Sequence, residues 1–363
     1  MFHDEKVATM KRVLLTGMAA LLSISFAQAQ DKSISFQDHR GQTIELEGPP
    51  ERLATIIRAA PFIYYSTDRT TEHMVAVNAD SISRIRNFFY ADLIPELLQL
   101  DGSAARDGFA PNVEAILATN PQLVIQANHN PDLIEPLERV GLKVAAWGCC
   151  SEQQRLDYIT MSGAISGHPE RAEATLKLHY DSNARMSAKF ADLADDKKVS
   201  LVYVEKIGDQ IQVVANPSQD FSLSGIKNLA ADDSGEWWKN VDVEQLFAWN
   251  PDVIIIPAQA VTLNPSDFYT HPLLSSMDAV KNRRVYKVPK FNASPDSPEL
   301  FLSAVWLAMI AHPGMDAIDD DFKATIRNAY MTIYGRQPDD AQIASILEVE
   351  ANGGNAGYAA LFE

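Results

Sequence analysis

The chain has 363 residues, with 31 Lys+Arg against 48 Asp+Glu for a net charge of −17, 46% hydrophobic residues and two cysteines. A chain this long buries a sizeable core as roughly two domains. The acidity excludes a nucleic-acid-coating protein, two cysteines exclude a disulfide-dense scaffold, and the composition excludes collagen-like and disordered classes.

Lys11 and Arg12 precede an apolar run from Val13 to Phe26, and Ala27-Gln28-Ala29 supplies a small-x-small cleavage pattern. Residues 1–29 are therefore expected to be a signal peptide, with Met10 an alternative start, and the protein to be exported with no membrane insertion after cleavage. In the first half, apolar runs at Leu53 to Ile57, Met74 to Val77, Leu123 to Ile125 and Val144 to Trp147 alternate with helical stretches. That alternation is the signature of a parallel sheet. The second half repeats it at Leu201 to Val204, Ile211 to Val214, Val253 to Ile256 and Val285 to Val288. One segment echoes another: Asn112 to Ile125 aligns with Asp242 to Ile255 at an offset of 130, with six of fourteen positions identical. Each copy reads as a capped helix, an Asn-Pro stop and a strand. Two such units so far apart predict two lobes of related build. Between them, Glu152 to Ile165 and Pro169 to about Leu193 read as helices, the second long enough to bridge the lobes stiffly. A helix from Glu299 to Ile310 follows, then a helical extension from about Asp319 to Leu347, with Asp319-Asp320-Asp321 as its N-cap and a frayed glycine-rich end. The expected division is an N-terminal lobe over 30–165, an interlobe helix over 166–195, a C-terminal lobe over 196–313 and an extension over 314–363.

There is no G-x-S-x-G, Walker, H-E-x-x-H or G-x-G-x-x-G motif, and the eight histidines are scattered. Hydrolase, nucleotidase, zincin and dinucleotide-binding readings have no positive support. The chain instead resembles the periplasmic substrate-binding proteins of ABC importers for chelated iron, haem and cobalamin. The resemblance rests on the hairpin Ile34 to Leu46 with Pro49-Pro50-Glu51-Arg52-Leu53 after it, both helix-Asn-Pro-strand units, the helix start Ser162 to Glu173, and Met277 to Tyr286. It implies an α/β fold of two lobes with mainly parallel sheets joined by one long helix, and a ligand cleft between the lobes. It also implies a non-enzymatic receptor for an anionic metal chelate, a ferric siderophore first, with haem, cobalamin or a molybdate-type oxyanion as alternatives. Metal would enter only as part of that ligand, and no cofactor is expected. An exported enzyme or an envelope adhesin are the rival classes. The family docks on its permease through one acid from each lobe; Glu96 matches the first, while the second lobe departs from the pattern and offers Asp220 as the nearest substitute.

Ligands of open parallel sheets bind beyond the strand carboxyl ends. This selects Arg58, Asn78, Asn128, His129 and Trp147 to Cys150 in the first lobe, and Glu205, Lys206, Gln259, Lys290 and Phe291 in the second. Arg58 is suited to clamp a carboxylate or oxyanion bidentately, or to pair with a neighbouring acid. Arg84, Arg86 and Arg106, with Asn87-Phe88-Phe89-Tyr90, mix charge with flat surface, and would otherwise be solvated. Tyr64 and Tyr65 are expected to stack on the ligand, donate to it or ligate iron, or else to pack in the core. Of Trp237 and Trp238, Trp238 is taken to face the cleft, against a core reading for the pair. Cys149 and Cys150, adjacent at a strand end, admit a strained vicinal disulfide, two thiols or a soft-metal role.

Overall fold

A computed structural model describes residues 33–105, 108–148, 151–215, 219–232, 236–292, 296–315 and 318–359, with only the backbone of Gln219 and Asp220. The expected signal peptide, Arg106, Cys149, Cys150 and the Asp220 side chain lie outside the described residues.

The chain opens with a hairpin, β1 (Ile34–Gln37) against β2 (Thr43–Leu46). At its turn the buried Asp38 carboxylate accepts from the backbone of Arg40 and Gln42 and from Ala146 N at 3.0 Å, so the turn is fastened to the first sheet. The first lobe then runs β3 (Leu53–Thr55), α1 (Ala60–Asp68), β4 (Met74–Ala76), α2 (Ala79–Asn87), α3 (Tyr90–Leu93), α4 (Val113–Ala118), β5 (Leu123–Ala127), α5 (Glu135–Arg139), β6 (Val144–Trp147) and α6 (Glu152–Ser166). Its four strands are all parallel, in the order β4-β3-β5-β6. Largely buried on both faces, they read as mainly apolar runs, interrupted by the buried Thr55 and Gln126. The long helix α7 (Pro169–Phe190) follows, with Pro169 in its first turn, and stops short of the expected Leu193.

The second lobe contains β7 (Val199–Ile207), β8 (Ile211–Val214), α8 (Gln219–Leu223), β9 (Ile226–Asn228), β10 (Trp238–Val241), α9 (Val243–Trp249), β11 (Val253–Ile256), α10 (Pro265–Thr270), α11 (Asp278–Lys281) and β12 (Val285–Lys287). Strands β9, β7, β11 and β12 pair in parallel, while β8 and β10 continue the sheet as an antiparallel ribbon from β7. The repeated unit has the same local build in both lobes. Asn112 and Asp242 cap α4 and α9, and Asn120 and Asn250 each take a left-handed conformation immediately before proline, at φ 45° and 39°. Asparagine tolerates that region, and the proline prevents further helix.

Helix α12 (Phe301–Ala311) is buried at every position, as expected for a helix apolar all round. The expected single extension is three helices, α13 (Phe322–Tyr334), α14 (Asp340–Ile346) and α15 (Val349–Asn352). Asp321 caps α13, Gly335 ends it at φ 67°, and Asp339 caps α14. The frayed end is corrected too. Tyr358 is fully buried and its hydroxyl accepts from Trp306 Nε1 at 3.0 Å and donates to Leu347 O at 2.6 Å. Asn352 satisfies the edge of β12, accepting from Lys287 N at 2.7 Å and donating to Lys287 O at 2.9 Å. On the first-lobe side, Arg69 donates to Thr332 O and Gln342 to Asp92 O, so the C-terminal segment fastens both lobes.

Candidate ligand-binding site

Asn78 follows β4 and is fully buried. Its amide nitrogen donates to Ile56 O at 2.8 Å and Gly108 O at 2.7 Å, and its oxygen accepts from Asp80 N at 2.9 Å, fixing where α2 begins. Asp80 thereby faces the end of β3, where its Oδ2 lies 3.0 Å from Arg58 Nε, and the Arg58 guanidinium lies 4.9 Å from the Phe109 ring centre. Helical spacing carries Ser83, Arg84 and Asn87 onto the same face of α2 as Asp80. Together with Arg58, Phe88, and Gln259 and Val261 from the loop after β11, they line a cavity of about 320 Å³ between the lobes. Burial pushes the Arg84 guanidinium below its ordinary value and the positive Arg58 pushes it further, partly opposed by Asp80 and Asp296. Among the described residues, two guanidiniums thus share one cavity with a single lining carboxylate.

The second-lobe wall is held differently. A bulge between Val204 and Lys206 releases Glu205 from the ladder with β8, and Glu205 Oε2 accepts from Gln259 Nε2 at 3.1 Å. Bulges often re-aim a side chain in this way. Burial raises the Glu205 carboxyl above its usual value, moderated by hydrogen bonds from Gln259 and Trp238. Trp237 and Trp238 are 37% and 48% exposed beside this wall, which corrects a core reading for the pair.

The other candidates separate into rim and core. His129 is exposed and meets Phe109 edge-on at 5.3 Å, so it joins the Arg58 rim. Arg86 and Lys206 are exposed, and neither lines the cavity. Tyr64, Tyr65, Tyr90, Trp147 and Phe291 are core residues, each at most 1% exposed. Trp147 stacks on Tyr158 at 4.6 Å, Phe291 packs on Phe322, and Tyr90 stacks on Phe62 at 4.5 Å. Burial drives the Tyr64 hydroxyl well above its usual range, and Asp68 adds to the shift. Lys290 donates to Ser345 Oγ. Glu96 accepts from the Tyr65 hydroxyl at 3.0 Å and pairs with Arg336, so the acid matched to permease docking is already engaged by the C-terminal segment. Asp80, Ser83, Phe109 and Val261 were missed. The signal for Asp80 was available: an acid and a base at i,i+4 just after an asparagine at a strand end.

Among the described residues no group of three or more His, Cys, Asp or Glu side chains could hold a metal ion, and no helix is long and apolar enough to cross a membrane.

This two-lobed α/β architecture with a cavity between the lobes defines the class. The sequence profile described as periplasmic binding protein matches residues 101–290, more than half of the chain, and the protein belongs to that family. The chain is 24% identical over 203 residues to the Fe(3+)-citrate-binding protein YfmC of Bacillus subtilis, a match spanning 54% of this chain and 62% of that one. It is 20% identical over 92% of its length to the molybdate-binding protein MolA of Haemophilus influenzae, covering 99% of that protein. A periplasmic solute-binding protein from Veillonella parvula superposes with a TM-score of 0.80 at 24% identity, covering 89% of this chain and 99% of that one.

Proposed function

We propose that this protein is the exported receptor of an ABC importer, capturing an anionic metal chelate, a ferric siderophore first among them, and delivering it to the permease. The observation that carries this reading is the Arg58–Arg84 pair. The fold holds both cations against one cavity, Asp80 meets Arg58 at Nε, and an anion arriving between the two guanidiniums relieves the repulsion between them. The cavity volume falls at the lower end of small-molecule sites, ~300–1,000 Å³, and exceeds what a bare oxyanion needs. Phe88, Val261 and the exposed tryptophans add flat or apolar surface. A molybdate-type oxyanion is the second reading, favoured by the near full-length likeness to MolA. Direct ligation of haem iron by Tyr64, Tyr65 or Tyr90 has little support, since all three are buried.

Titration by intrinsic tryptophan fluorescence with ferric citrate, ferric hydroxamate and catecholate siderophores, haemin, cobalamin and molybdate tests this reading. The expected result is saturable binding of one ferric chelate at micromolar affinity or tighter, with weaker binding of molybdate. Response to none of them, or to cobalamin alone, counts against an anion receptor.

A further inference from the structure

Glu299, just before α12, is fully buried, and its two carboxyl oxygens are divided between two other parts of the chain. Oε1 accepts from the hydroxyl of Tyr90 in α3 at 2.8 Å, and Oε2 from the hydroxyl of Tyr334 in α13 at 2.6 Å. Tyr90 lies two residues beyond Phe88, which lines the cavity. One carboxyl therefore joins the first lobe, the C-terminal segment and the helix that follows the second sheet. The groups facing it are phenols. Tyr330 of α13 turns a buried hydroxyl with no hydrogen-bond partner into the same cluster, and Phe89 packs against Tyr90, Tyr330 and Tyr334. His179 of α7 bonds Pro298 O at 2.6 Å, and burial pushes it down to about 4, so it stays neutral at neutral pH. Arg84 of α2 bears on Tyr90 and on Asp296, and among the described residues no cation contributes to holding the Glu299 charge.

We propose that the Tyr90–Glu299–Tyr334 junction is a proton-operated latch between the lobes, closed when Glu299 is protonated and loosened when it is charged. In the protonated form the carboxyl O–H is donated to the Tyr90 oxygen, and the Tyr90 O–H turns to Ser297 Oγ, 3.4 Å away. On deprotonation the proton leaves to solvent and the Tyr90 O–H returns to Oε1. A carboxylate held only by phenols and its own backbone N–H is then left in an apolar junction. Burial, opposed by the Tyr334 and Tyr90 hydrogen bonds, raises Glu299 from 4.5 to about 7. The folded-state value lies above the unfolded one, so the folded protein binds more protons between them. The stability contribution is complete below about 4.5 and is lost as pH rises through about 7.

The test compares wild type with Glu299→Gln, which mimics the protonated group, by equilibrium unfolding and amide exchange at pH 5.5 and 8. Asp68, Glu152, Glu205 and Glu348 are also raised by burial, but they are common to both proteins and cancel in the difference. The folding constant of the variant relative to wild type is expected to grow about 30-fold between the two pH values. Exchange across residues 79–93 and 322–334, corrected for intrinsic rates, should accelerate at pH 8 in wild type only. A constant stability gap, or unchanged exchange in both segments, overturns the latch. If the variant does not fold, Tyr334→Phe serves instead: losing one donor to the carboxylate must move the wild-type exchange transition to higher pH, and an unmoved transition overturns the proposal.

Discussion

Replacing Arg58 and Arg84 together by alanine is expected to lower affinity for the captured anion at least about a hundredfold, because losing one partner of a buried charge contact costs ~2–5 kcal/mol and ~1.4 kcal/mol is tenfold. The single variants should not add up to the double. Removing Arg84 relieves the repulsion on Arg58, and removing Arg58 leaves Asp80 without its ion pair, turning a neutralised carboxylate into one that repels the ligand. Wild-type affinity should fall with ionic strength, and that of the double variant should be nearly flat. Arg86→Ala, on the exposed side of α2, serves as the control with unchanged affinity. Calorimetric titration with the tightest ligand measures wild type, both single variants, the double variant and the control; a double variant within threefold of wild type removes the anion-clamp role.

Ending the chain after Pro338 is expected to abolish cooperative folding at 37 °C. The removed segment buries Ile343, Ile346, Leu347 and Tyr358 to within 1% of full burial. At ~1.5–3 kcal/mol for each large apolar side chain the loss is roughly 6–12 kcal/mol, comparable to the ~5–15 kcal/mol that holds a typical domain together. It also removes Asn352 from the edge of β12 and Tyr358 from the Trp306 N–H. Thermal unfolding followed by circular dichroism decides the matter, and a truncated chain melting within about 5 °C of the intact protein contradicts this account of the core.

The strands Val144–Trp147 and Val253–Ile256 were legible in the sequence because buried parallel strands are continuous apolar runs, and Ile211–Val214, though antiparallel to both neighbours, was legible from its β-branched residues. β9 and β10 were not. Each has only three or four residues, and Trp238-Lys239-Asn240-Val241 is a partly exposed edge with no apolar run. Arg58, Arg84 and Gln259 could be named from strand ends and loops, since topology alone says where a parallel sheet opens. The partnerships that position them could not. Glu205 reaches Gln259 through a bulge and across 54 residues, and Tyr90 reaches Glu299 across 209. For the same reason an aromatic run such as Phe88-Phe89-Tyr90 does not announce which ring faces a cavity and which the core. The glycine- and asparagine-rich C-terminus misleads by composition, because the side chains of Asn352 and Asn355 do there what backbone usually does, completing hydrogen bonds at a sheet edge and a turn.

A crystal structure of the protein saturated with the ferric chelate that binds most tightly tests the central claim most directly. The account predicts the ligand between the lobes, with its anionic oxygens within about 3.2 Å of the terminal nitrogens of Arg58 and Arg84, and Gln259 and Val261 closing over its other side. A ligand bound elsewhere on the molecule, or bound in the cleft with both arginines turned away from it, would contradict it.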